Sequence, residues 1–151
     1  QGVVRWMDQG ASQAIILAKV PNRRFSGDIE VAIKQFVADK TNWRKMLAGN
    51  PEYIDMVQIK NELAAHVPDE LKQYVLDDNT VTEISYPILE YPKKISSVKM
   101  SDKTPVIEGE LRGIKGQYLL LDGGRVFNVR AHEGFIADFS HTQLSQQGLL
   151  F

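Results

Sequence analysis

Hydrophobic and polar positions divide this chain into a helical first half and a β-rich second half. A continuous apolar run over residues 14–20 is typical of a buried strand, and Pro21 ends it. A short helix over residues 3–9, ending at Gly10, is predicted before this strand. Two amphipathic helices are predicted after it, with apolar faces made of Ile29, Ile33, Phe36 and Val37 in the first and of Tyr53, Met56, Ile59 and Leu63 in the second.

Capping residues and prolines predict where the helices begin. Residues 26–28 (Ser-Gly-Asp) offer N-cap chemistry for the first amphipathic helix, and Thr41 or Asn42 caps a further turn through Leu47. Pro51 suits the first position of the second amphipathic helix, where Glu52 complements the positive end of the helix. Pro68 opens a last short helix.

After residue 79 the pattern changes to short apolar runs separated by turn residues. Strands are predicted over residues 81–84, 106–111, 117–121, 125–130 and 135–139. The segment 122–124 (Asp-Gly-Gly) predicts a hairpin between two of them. The fold class is therefore α+β. We expect a helix-rich α/β domain over residues 1–78, a small antiparallel β-barrel-like domain over 79–141, and a flexible tail over 142–151.

Composition and charge change this picture only locally. The 151 residues carry a net charge of −1 and no cysteine, and no apolar run approaches the length of a membrane span. The absence of cysteine fits a cytoplasmic protein, and no membrane partner is expected. Residues 1–66 nevertheless hold nine Lys and Arg against seven Asp and Glu. The candidate nucleic-acid-binding residues are Arg23, Arg24, Lys34, Arg44 and Lys45. The alternative is that these are ordinary solvated charges.

A second group of polar and aromatic residues lies in the β-rich half. A basic and aromatic face on a small barrel can stack bases or bind a peptide. Alternatively, the tyrosine fills the barrel and the charges face water. The group consists of Lys115, Gln117, Tyr118, Arg130, His132 and Glu133.

Three features of the first half resemble the GIY-YIG nuclease superfamily. They are Arg5-Trp6-x-x-Gln9, the strand that starts near Ala14, and Glu30 on the following helix. The resemblance implies that Arg5 steadies the phosphate and that Glu30 holds a divalent metal such as Mg²⁺. The tyrosine-bearing hairpin of that superfamily would precede Gln1, and Gln9 falls where many members have a histidine. We therefore expect a fragment that is inactive by itself, whereas the complete protein could be a metal-dependent phosphodiesterase. Without the resemblance, Glu30 simply favours the helix dipole and pairs with Lys34.

The chain also resembles, over nearly its full length to about residue 141, an uncharacterised bacterial family called domain of unknown function 2797. The similarity rests on Arg-Trp-x-Asp-Gln-Gly-Ala over residues 5–11 and on Thr-Asn-Trp-Arg over 41–44. It extends to Gly-Ile-Lys-Gly-Gln-Tyr-Leu from residue 113 and to residues 127–135. Members carry an additional Cys-rich segment before this part, and the family has no established activity.

The last five residues resemble the short peptide by which bacterial replication and repair proteins bind the sliding clamp. Gln147, Leu150 and Phe151 match its pattern, in which two apolar anchors enter a pocket and the glutamine donates and accepts hydrogen bonds. The alternative is a tail that folds back on its own domain.

Two functions remain open at this point. The first is a nucleic-acid-associated module related to GIY-YIG nucleases, with DNA or RNA and the sliding clamp as partners. The second is a non-catalytic protein-interaction module that keeps the nuclease scaffold only as structure.

Overall fold

A computed structural model of the protein describes residues 2–38, 40–49 and 54–142. The chain divides into two compact units, Gln1–Ser85 and Tyr86–Phe151. Helices predominate in the first unit and strands in the second, which confirms the α+β class.

The first unit contains four α-helices and two strands among its described residues. They are α1 (Gly2–Asp8), β1 (Gln13–Ile15), α2 (Arg23–Ile33), α3 (Trp43–Leu47), α4 (Met56–Ala65) and β2 (Val81–Glu83). One 3₁₀ turn, Lys34–Phe36, extends α2, and another, Asp69–Tyr74, follows α4. Gly10 has a φ of 73° just after α1, so the predicted helix and its glycine stop are confirmed.

Side-chain caps decide where these helices begin. The Asn42 side chain accepts a hydrogen bond from the Lys45 backbone N–H, which confirms the predicted cap of α3. The predicted cap of α2 at residues 26–28 is wrong, because the Asn22 side chain accepts from the Phe25 N–H and starts the helix earlier, at Arg23. The predicted start of the next helix at Pro51 is also wrong. Asp55 caps α4 instead, and Pro51 and Glu52 lie outside the described residues.

The core of the first unit forms where α2 meets the segments around residues 17 and 70. Ile29, Val67 and Leu71 are buried together, and burying a side chain of this size stabilises the fold by roughly 1.5–3 kcal/mol. The ring of Phe25 lies 5.8 Å from that of Tyr74 at the edge of this core. Phe36 and Val37, predicted for the same apolar face, are 48% and 40% exposed, because the helix tightens into a 3₁₀ turn that ends at Phe36 and the backbone is extended at Val37.

Four strands form the sheet of the second unit: β3 (Ser96–Val98), β4 (Leu111–Lys115), β5 (Tyr118–Leu121) and β6 (Arg125–Asn128). They lie in the order β3-β6-β5-β4, with β4, β5 and β6 antiparallel and β3 parallel to β6. Leu120 and Val126 are its most deeply buried side chains. The predicted barrel is wrong, since β3 and β4 remain edges of an open sheet in the described part of the chain.

Local turn chemistry was predicted more accurately than strand positions. The hairpin at residues 122–124 is confirmed, and its tip is a 3₁₀ turn in which Gly123 and Gly124 have φ of 67° and 72°. The predicted strand over 106–111 is largely wrong, because the pairing begins only at Leu111 and continues through Gly113. The predicted strand over 135–139 is absent from the described residues, and Ile136 there is fully exposed.

Candidate functional site

Arg5 and Glu30, the two residues implied in catalysis, lie on α1 and α2 and are both exposed. Ile29, which precedes Glu30 in α2, is buried in the core of the first unit. The exposed Glu30 carboxylate therefore lies next to the buried face of the helix. Beside it lies an open groove of about 220 Å³. The groove is lined by Leu17, Ala18, Val20, Ser26, Ile29, Glu30 and Ile33. Arg5 is not one of these lining residues, and a cleft shared by Arg5 and Glu30 stays a prediction.

Glu30 is the one carboxylate among the described residues that line this groove. Among the described residues, no group of three or more His, Asp or Glu side chains could hold a metal ion. Mg²⁺ is commonly held by one or two carboxylates together with waters and substrate phosphates, so Glu30 alone would supply the minimum. The carboxylate by itself does not make a preformed metal centre.

Arg23 and Arg24 occupy the first turn of α2 and are exposed. Within the described part of the chain, neither guanidinium forms a salt bridge with a carboxylate. The positive end of a helix disfavours cations by typically 0.3–1 kcal/mol each. Arg23 and Arg24 therefore destabilise α2 at these positions.

The other three candidate cations lie further along the first unit. Lys34 begins the 3₁₀ turn after α2, while Arg44 and Lys45 lie on α3, and all three are exposed. The Arg44 guanidinium lies 4.4 Å from the centre of the half-buried Trp43 ring, within cation–π range. Trp43 thus fixes the direction of one basic side chain.

The second candidate group, in the β-rich unit, does not form a surface face. Lys115 is 4% exposed and its Nζ lies 5.6 Å from the ring centres of both Tyr86 and Tyr91. Burial lowers the pKa of the Lys115 amine. Tyr118 is also buried, so the expectation that it fills the interior is confirmed, whereas Lys115 does not face water.

The His132 side chain, from the same group, forms hydrogen bonds within the second unit. Its Nε2 accepts a hydrogen bond from the Met100 N–H at 3.0 Å, so Nδ1 carries the proton and donates to the Asn128 carbonyl at 2.7 Å. The ring stacks on Phe127 with centres 4.4 Å apart. Arg130 and Glu133, in contrast, are exposed.

The structure also contains polar features that sequence patterns did not predict. Lys60 on α4 is 3% exposed, and its amine donates to the Asp78 carbonyl and to the Asn79 side chain at 2.5 and 3.1 Å. An apolar helix face with one lysine gives no sign of this burial. Gln147, Leu150 and Phe151 lie outside the described residues.

The fold and site define an α+β protein with a small apolar groove and an exposed basic helix end in its first unit. The chain belongs to the family described as protein of unknown function (DUF2797), whose model matches residues 1–137. No curated protein and no solved structure matches it. Among the described helices, none has the length and apolarity needed to cross a membrane.

Proposed function

We propose that this chain is a nucleic-acid-associated module that contacts the phosphate backbone through the exposed cations of its first unit. The observation that carries the proposal is the pair Arg23 and Arg24 on the first turn of α2. Both are exposed, and no carboxylate of the described residues pairs with them. Cations at this end of a helix cost stability, so a bound anion gives a reason for them.

The charge of the surrounding sequence supports the same partner. Residues 1–49 hold eight Lys and Arg against four Asp and Glu, although the whole chain has a net charge of −1. A local excess of this kind attracts a polyanion without making the protein basic overall. Arg44, held over Trp43, adds a planar cation that suits phosphate or a stacked base.

Phosphate contacts of this kind carry affinity but little sequence information. We therefore expect binding that depends strongly on salt and weakly on base sequence. The proposed relation to GIY-YIG nucleases would add Arg5 beside the phosphate and Glu30 beside a metal. Since the candidate catalytic residues Arg5 and Glu30 include no base that would activate the attacking nucleophile, we propose that residues 1–151 bind nucleic acid without cleaving it.

The test is fluorescence anisotropy with a labelled duplex of about 20 base pairs and with the corresponding single strand, at low salt. The double variant Arg23→Ala/Arg24→Ala should weaken binding by roughly tenfold. The matched control is Lys93→Ala/Lys94→Ala, which removes another adjacent pair of exposed cations from the second unit. Equal losses in both variants would contradict the assignment to α2. Absence of binding by the unaltered chain would favour the non-catalytic protein-interaction module.

A further inference from the structure

A stacked pair of aromatic rings lies on the surface of the first unit. The ring centres of Phe36 and His66 are 3.6 Å apart and the ring planes meet at 17°, so the two rings lie nearly parallel. Phe36 is 48% exposed, and His66 is exposed as well. Neither ring is part of the core around Ile29, Val67 and Leu71. We call Phe36 and His66 the aromatic pair.

The ends of two helices position the aromatic pair. Phe36 is the last residue of the 3₁₀ turn that extends α2, and the backbone becomes extended at Val37. His66 caps the end of α4, where its N–H donates to the Leu63 carbonyl at 3.0 Å. The next residue, Val67, is buried in the core. Secondary structure therefore sets both ring positions before any ligand binds.

The aromatic pair leaves ring surface available to a third planar group. Each ring covers one side of the other, and within the described part of the chain no further ring packs on Phe36 or His66. Aromatic rings favour offset stacking, and every nucleobase has a flat π-face. A base that stacks on the exposed side of Phe36 extends the pair to three rings.

The charges next to the aromatic pair favour one orientation of a nucleotide. Lys34 lies two residues before Phe36 in the same 3₁₀ turn and is exposed. His66, in contrast, lies at the negative end of α4, which disfavours an anion there. A nucleotide is therefore oriented with its base on Phe36 and its phosphate towards Lys34.

We propose that the aromatic pair stacks an unpaired base of single-stranded nucleic acid. The site depends on the proposed function, because the phosphate contacts of α2 bring the strand to it. Bases in a duplex are covered by their neighbours and reach a protein ring only by leaving the stack, whereas the bases of a single strand are accessible. Arg23 and Phe36 lie about 20 Å apart along α2 and its 3₁₀ extension, a distance that about six nucleotides span.

The probe is a fluorescein-labelled oligodeoxyadenylate of about 12 nucleotides. Its matched control is the corresponding abasic oligonucleotide, which keeps every phosphate and lacks the bases. Binding to the full chain is measured by fluorescence anisotropy at low salt. The abasic oligonucleotide should bind about fivefold to tenfold more weakly, because it cannot stack.

Variants locate the stacked base on the protein. Phe36→Ala should weaken binding of the oligoadenylate by about fivefold to tenfold, and should change binding of the abasic oligonucleotide and of a duplex by less than about twofold. Phe36→Trp keeps a flat ring and should retain binding of the single strand. Phe139→Ala is the matched control, because Phe139 is an exposed phenylalanine of the second unit. Phe36 lies outside the core, so its variants should fold.

Adenosine separates stacking from phosphate binding, because it has the base and no phosphate. Added to about 10 mM, it should shift the NMR signals of the Phe36 and His66 ring protons. Such shifts without binding of any oligonucleotide would support stacking and contradict the proposed function.

The opposite pattern would overturn the stacking site and leave the proposed function intact. In that pattern Arg23→Ala/Arg24→Ala weakens binding of the oligoadenylate, while Phe36→Ala binds it as tightly as the unaltered chain does. The stacking site is also overturned if adenosine leaves the ring signals unchanged, or if Phe36→Ala weakens binding of the abasic oligonucleotide as much as that of the oligoadenylate.

Discussion

Replacing Gly124 by alanine should destabilise the second unit more than the same change at Gly123. The two glycines are neighbours at the tip of the β5–β6 hairpin, and their φ values are 72° and 67°. An L-residue with positive φ costs roughly 1–2 kcal/mol at either position. Their surroundings differ. An added Cβ at Gly123 meets no atom within 4 Å, whereas one at Gly124 overlaps the backbone carbonyl oxygen of Lys94.

The difference in unfolding free energy between the two variants therefore measures the clash between the added Cβ and the Lys94 carbonyl oxygen. Because the overlapping atom belongs to the backbone, the chain around Lys94 must move, and overpacking of this kind typically costs 1–3 kcal/mol. We expect a loss of about 1–2 kcal/mol for Gly123→Ala and of about 2–5 kcal/mol for Gly124→Ala. These values apply to unfolding of the second unit.

The assay is urea unfolding followed by far-UV circular dichroism and by amide exchange in β5 and β6. Tryptophan fluorescence would miss the effect, since Trp6 and Trp43 both belong to the first unit. A Gly124→Ala variant as stable as Gly123→Ala would refute the close approach of Lys94 to the hairpin. A Gly123→Ala variant as stable as the unaltered chain would refute the positive φ.

Three further predictions concern the hairpin, the catalytic residues and the tail. The pKa of the Asp122 carboxyl lies below its ordinary value, first because the Glu110 N–H donates a hydrogen bond to it and then because the Arg125 guanidinium does so. The stability that Asp122 contributes is therefore present at neutral pH and is lost as the pH falls through this lowered pKa. Urea midpoints measured between about pH 7 and pH 3 should fall less for Asp122→Asn than for the unaltered chain, and parallel curves would exclude this role. Residues 1–151 should not cleave plasmid DNA with Mg²⁺ or Mn²⁺, and metal-dependent cleavage that disappears in Glu30→Ala would contradict this expectation. Titration against the purified bacterial sliding clamp should detect binding that is lost on removal of Leu150 and Phe151, and binding that survives their removal would discard the clamp motif.

Features that depend on a few neighbouring residues were predictable from the sequence. The stop of α1 at Gly10, the cap at Asn42 and the hairpin at residues 122–124 each follow from the backbone preferences of Gly and Asn. The start of α2 was not predictable in this way, because both Asn22 and residues 26–28 offer side chains that can cap a helix. Asn22 begins the helix although this places Arg23 and Arg24 at its positive end.

Features that depend on distant segments were missed. Gly113 reads locally as a turn residue, yet it lies in β4 because its missing side chain lets Ile88 approach; an added Cβ would meet the Ile88 Cα at 3.0 Å. Glu30 was a candidate by resemblance alone. The groove beside it depends on Leu17 and Ala18 pairing with the chain near residue 75, which no local pattern encodes.

The salt dependence of DNA binding tests the central claim most directly. Each cation that neutralises a phosphate contributes a slope of about −0.9 to a plot of log K against log salt concentration. The proposal predicts that Arg23→Ala/Arg24→Ala reduces the magnitude of this slope by about two, with duplexes of different sequence affected alike, while Lys93→Ala/Lys94→Ala leaves it unchanged. A slope that is the same in the unaltered chain and the α2 variant would contradict phosphate binding by α2.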